Sequence, residues 1–103
     1  MVKLKYKNKN YEIVKSFYLN NEELYIGMVD RNGDIYSDIT INLCGGYTLD
    51  NNEGFLSGDI TNELENCLIE NGIIKEYITT IPYNFGTYKM VEFGRVEEMR
   101  EME

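Results

Sequence analysis

Between Asp59 and Gly72 the chain carries its one segment with helical apolar spacing, while most of the rest repeats at period two. Ile60, Leu64, Cys67 and Leu68 fall at i, i+4, i+7 and i+8 and make a single apolar stripe. Asp59 or Thr61 can cap its start, and Asn71-Gly72 is a stop that suits the left-handed backbone. A lone amphipathic helix must lay its stripe on something else, and alternating strands offer the complementary face. The sequence therefore predicts an α+β domain: an antiparallel sheet of five to six strands, a meander plus a C-terminal hairpin, with one helix packed on one face.

The strands are read from the alternation. In Lys3–Lys7, Leu4 and Tyr6 point one way and lysines the other, the pattern of a guarded sheet edge. Asn8-Lys9-Asn10 reads as a turn, Tyr11–Leu19 as a strand, Asn20-Asn21 as a second turn and Leu24–Val29 as the next strand. Asp30-Arg31-Asn32-Gly33-Asp34 is the strongest hairpin signal in the chain. Ile35–Leu43 follows, with Ile35, Ile39, Ile41 and Leu43 expected inward. Cys44–Gly58 is expected to be a long irregular loop, of a length that is usually functional. Ile73–Ile81 and Thr87–Phe93 are strands around a turn at Pro82, Asn84 and Gly86. The absence of Ala and the abundance of Tyr and Ile favour strands throughout. Residues 1–93 are expected to form one domain, and 94–103 a polar tail.

Chemistry is conspicuous by its missing groups. The chain has no His, so imidazole triads and metal sites are excluded. Gly45-Gly46 lacks the spacing of a phosphate-binding glycine loop. Asp30-x-Asn32-x-Asp34 starts like a calcium loop, but Ile35 and Ile41 occupy the positions that need Gly and an acid. Cys44 and Cys67 have no metal-type spacing and read as reduced thiols. The charged N-terminus carries no signal-peptide pattern, and no apolar run is long enough for a membrane span. The expectation is a cytoplasmic, non-enzymatic protein without cofactor or metal.

Charge carries more. Residues 1–15 hold five lysines against Glu12 alone, while residues 16–103 hold five basic and 17 acidic side chains. Such a surface repels nucleic acid over most of its area and suits a basic protein surface. An acidic belt runs through Asp50, Glu53, Asp59, Glu63, Glu65, Glu70 and Glu76. Asp50, Glu53, Asp59, Glu63, Glu65 and Glu70, with Phe55 and Leu56 as apolar anchors, are the expected partner-binding residues. For any one acid, a solvated surface role is the more common one. Tyr18, Tyr25, Tyr36, Tyr47 and Tyr88 are further candidates for half-exposed interface positions.

The segments ITINL (Ile39–Leu43), NNEGFL (Asn51–Leu56), LIENG with Ile73-Ile74, and IPYNFGTYKMVEF together resemble a domain of unknown function, the DUF4313 family. The resemblance spans about residues 35–93. It implies an origin on phages, plasmids and integrative elements of bacteria, and it brings no catalytic residue with it. The leading expectation is an interaction protein of a mobile element, in its sharpest form an anti-CRISPR or other anti-defence inhibitor. Such a protein would dock on the basic nucleic-acid-binding surface of a host protein, for instance a CRISPR effector. The alternatives are an accessory module that homodimerises through a sheet edge or a Tyr face, and a small-ligand sensor that uses the 44–58 loop as a lid.

Overall fold

A computed structural model describes residues 1–43 and 47–102. Strands β1 (Val2–Tyr6), β2 (Lys9–Phe17), β3 (Leu24–Val29) and β4 (Ile35–Asp38) form the expected antiparallel meander. Two-residue β5 (Thr40–Ile41), β6 (Glu53–Leu56), α1 (Asn62–Glu70), β7 (Ile74–Tyr83) and β8 (Gly86–Phe93) follow, then a 3-10 turn at Val96–Glu98 and the short β9 (Arg100–Glu101). The fold class is α+β, mostly antiparallel strand with one helix. The strands divide over two sheets, one of order β1-β2-β3-β4 with β9 added beside β2, the other of order β5-β6-β8-β7.

The division happens at Ile39. Its N–H still donates to Ile26 O, as a meander strand would, and the next residues already pair with β6. The alternation predicted for Ile35–Leu43 breaks there. Ile35 is exposed, Ile39 and Thr40 are both buried, and Ile41 is half-buried. Changing sheets turns the chain, so two consecutive side chains face the interior. Thr40 is tolerated inside because its hydroxyl accepts from the Ile26 N–H at 3.1 Å and bonds the Tyr18 hydroxyl at 3.0 Å.

The helix forms as its sequence directs. Thr61 is the N-cap, its Oγ1 accepting from the Leu64 N–H at 3.2 Å. At the other end Gly72 sits at φ 75°, its N–H donates to Ile69 O, and the Ile73 N–H donates to Leu68 O. That pair of bonds is a Schellman stop, for which a residue other than glycine would strain the backbone. Leu64 and Leu68 are buried, and Ile60 and Cys67 are partly buried beside them. They join a core drawn from both sheets, including Leu4, Ile13, Ile26, Met28, Leu56, Ile73, Val91 and Phe93.

Three expectations about segment roles change. The 44–58 stretch is not loop throughout: Glu53–Leu56 is β6, wedged between β5 and β8, where Phe55 is 1 % exposed and Leu56 4 %. The β1–β2 turn is Lys7-Asn8, both in the left-handed region at φ 50° and 64°, so Lys9 and Asn10 already belong to β2. Residues 94–102 are no free tail. Val96 and Met99 enter the core, β9 pairs parallel to β2, and the Met102 N–H donates to Lys15 O. The many charges of GRVEEMREME hide two apolar side chains at the spacing of one tight turn. The Asp30 turn is a hairpin: Asp30 Oδ1 accepts from the N–H groups of Asn32 and Asp34 at 2.9 and 3.1 Å.

Candidate functional site

The acids predicted to act as one belt are dealt by the fold into separate places. On α1, Glu65 is 20 % exposed and holds Lys89 with both carboxylate oxygens, at 2.8 and 3.0 Å. Glu63 pairs with Lys7 at 3.7 Å, both ends exposed. Asp59, Glu70 and Glu76 are exposed with no side-chain partner among the described residues. Phe55 and Leu56 belong to the core and cannot serve as surface anchors. They are adjacent in sequence, and a strand flanked on both sides buries both of them where a loop would present them.

Asp50 and Glu53 go elsewhere. They line an open groove of about 770 Å³ between the β2–β3 turn, the segment before β6 and the 3-10 turn. There they meet Glu22, Glu23 and Glu97. One cation, Lys15, borders the groove, and its ammonium donates to Val96 O at 3.0 Å. Glu53 Oε1 accepts from the Asp50 N–H at 2.7 Å, which fixes the loop. Asn21 holds Glu23 through its amide at 2.8 Å and bridges onward to Asn42. Partial burial pushes the Glu23 carboxyl above its ordinary range, and the Asn21 hydrogen bond pulls the other way. Glu22, Asp50 and Glu97 have no side-chain partner among the described residues. Glu22, Glu23 and Glu97 were not singled out from sequence. Their only signal was the Glu-Glu pairs they sit in, which gives no hint that three distant segments meet.

The tyrosines are mostly structural. Tyr18 meets Tyr25 edge-to-face at 5.7 Å, and Tyr25 donates to Asp38 Oδ1 at 2.5 Å. Tyr47 packs on Phe55 and Tyr83, and Tyr83 on Tyr88. Tyr36 lies on Tyr11 and keeps 49 % of its surface open. The Cys67 thiol donates to Lys5 O; burial first, then Glu70 and Glu63, raise its pKa, so it stays protonated at neutral pH. Cys44 lies outside the described residues. No cluster of three or more His, Cys, Asp or Glu among the described residues is placed to hold a metal ion, and no helix is long and apolar enough to cross a membrane.

A family model for a domain of unknown function, DUF4313, matches residues 12–103. The chain belongs to the DUF4313 family. The match takes in the meander from Glu12 within β2 onward, β6, the helix and the C-terminal segment, so the groove lies wholly within the family's domain. No curated protein and no solved structure matches the chain.

Proposed function

We propose that this protein is a non-enzymatic interaction module that receives a basic protein surface in the groove lined by Glu22, Glu23, Asp50, Glu53 and Glu97. The observation that carries the reading is the imbalance of that groove: five carboxylates face one lysine whose charge is already turned to a backbone carbonyl. Outside the groove Glu12 is paired with Arg100, Glu65 with Lys89, Glu92 with Lys75 and Glu98 with Arg95, while Asp59, Glu70 and Glu76, unpaired among the described residues, stand on exposed surface away from it. Carboxylates left together in a groove repel one another, and a Lys or Arg from a partner relieves that cost. In its sharpest form the chain is a cytoplasmic protein of a mobile element. Its partner is then a host nucleic-acid-binding protein, such as a CRISPR effector, whose phosphate-binding Lys and Arg side chains the groove occupies. The helix acids Glu63 and Glu70, with Asp59, extend the same electrostatic attraction without forming the groove.

The test is affinity capture from a native host lysate treated with nuclease, comparing the wild-type chain with an E22Q/D50N/E97Q variant at low and high salt. Selective capture of a basic protein, weakened by salt and lost in the variant, is the expected result. Capture that is indifferent to both the variant and salt defeats the reading. A second reading rests on β7, the outer strand of its sheet, where Tyr77 and Ile78 are exposed. Such an edge can pair with that of a second copy. Bulges at Lys75 and Ile78, together with Pro82, interrupt it, and light scattering after size exclusion decides the oligomeric state.

A further inference from the structure

The cations are as unevenly spent as the acids. Of ten basic side chains, Lys7, Lys75, Lys89, Arg95 and Arg100 hold carboxylates and Lys15 holds a carbonyl. The four that engage nothing among the described residues are Lys3, Lys5 and Lys9 on meander strands and Arg31 in the β3–β4 turn. Two of them, Lys9 and Arg31, border one recess of about 370 Å³ between the β1–β2 and β3–β4 turns. A neighbouring recess of about 180 Å³ shares Arg31 and brings in Lys3. The lone acid of the larger recess, Asp30, is committed to the two backbone N–H groups of its own turn.

The other walls have a definite chemistry. Tyr36 is braced on the buried Tyr11 ring, centroids 4.7 Å apart, and remains half open to solvent. Asn8, Asn10 and Asn32 line the same recess, and their side-chain amides make no hydrogen bond among the described residues. Two free cations, a braced aromatic face and three idle amides match a ligand that joins an anionic group to a flat ring with polar edges. The volume lies within the range of small-molecule sites. Arg and Lys bind phosphate, aromatic faces stack bases, and Asn amides donate to and accept from base edges.

We propose that this recess binds a mononucleotide, with its phosphate on Lys9 and Arg31 and its base against Tyr36. The size of the cationic area sets the limit. Residues 16–103 carry 17 acids against five basic side chains, so a longer polyphosphate strand that leaves the recess meets a surface of net negative charge. The site shares no residue with the acidic groove and stands independently of it.

The experiment is titration of the full chain with AMP, GMP, CMP and UMP, and separately with inorganic phosphate and with adenosine, read from the asparagine side-chain amide signals by NMR. Saturable shifts of Asn8, Asn10 and Asn32 with at least one nucleotide are expected. Lys9→Ala and Arg31→Ala should each weaken that binding at least about tenfold, since a charge-assisted contact is lost. Tyr36→Leu should weaken nucleotide but not phosphate. All three positions are exposed, so unchanged melting of the variants separates lost binding from lost fold. Absence of saturable shifts at millimolar nucleotide overturns the proposal. So does phosphate binding as tightly as every nucleotide, or a single-stranded oligonucleotide binding more tightly than its mononucleotide. The E22Q/D50N/E97Q variant should bind nucleotide as the wild type does, whatever the fate of the acidic groove.

Discussion

Truncation after Gly94 removes the C-terminal segment, and its cost follows from what that segment buries. Val96 is 7 % exposed and Met99 4 %, both packed in the common core. Burying a side chain of either type contributes about 1.5–3 kcal/mol. The segment also supplies the Arg100–Glu12 ion pair, with nitrogen–oxygen distances of 3.1–3.3 Å, and the 2.7 Å bond from Met102 N–H to Lys15 O. An exposed pair and a net backbone hydrogen bond add about 1 kcal/mol each at most. The sum is roughly 4–8 kcal/mol, against a total of about 5–15 for a domain of this kind. The truncated chain should therefore lose about half of its stability and melt far below the intact one. A graded version is Met99→Ala, which should cost about 3 kcal/mol and lower the melting temperature by roughly 12–24 °C. Glu97→Ala, exposed and unpaired, should change stability by less than about 0.5 kcal/mol. Thermal and urea unfolding followed by far-UV circular dichroism measures all three. A truncated chain that melts within a few degrees of the intact one would refute the reasoning and restore residues 94–103 as a dispensable tail.

Gly94→Ala should destabilise by more than 1 kcal/mol, because its added methyl meets the backbone carbonyl of Gly72, whereas Gly58→Ala meets only Tyr88 at 3.7 Å; denaturation midpoints of the two variants compare them directly. Tyr25 carries a raised pKa, through burial first and then the hydrogen bond to Asp38. The folded state keeps this proton where the unfolded chain has lost it, so the contribution is whole below about pH 10 and is lost as pH rises further. Melting temperature should then fall more steeply above that pH in the wild type than in Tyr25→Phe; parallel slopes would count against the coupling. A double-mutant cycle on Glu65 and Lys89 should give a coupling of about 0.5–1 kcal/mol that shrinks with added salt, and a value near zero would mean the pair only decorates the surface.

The helix was readable because its signals are local. Thr61 caps within one turn, Leu64 and Leu68 stand four residues apart on one stripe, and Gly72 acts on the nearby carbonyls. The meander was readable for the same reason, since alternation and the Asp30–Asp34 turn are properties of neighbouring residues. The candidate site was only half readable. Asp50 and Glu53 were picked out, but with helix acids that the fold sends elsewhere and without Glu22, Glu23 and Glu97, which it brings in. The recess at Lys9 and Arg31 was hidden too, because one cation opens β2 and the other sits in the β3–β4 turn, and these meet only when β1 to β4 align.

Residue order alone therefore determined the fold class, the helix with its stop at Gly72 and its start narrowed to Asp59 or Thr61, and the excess of acid over base. Those depend on spacing, on backbone preference and on composition. Tertiary structure decided that the strands part into two sheets at Ile39–Thr40, that Phe55 and Leu56 face inward, and that Val96 and Met99 close the core. Each of these depends on which element covers which face, a free energy of burial shared between segments far apart in the chain. The same applies to the acids: adjacency along α1 did not make Glu63, Glu65 and Glu70 one site with Asp50 and Glu53, because charges act through space and the fold sets the distances.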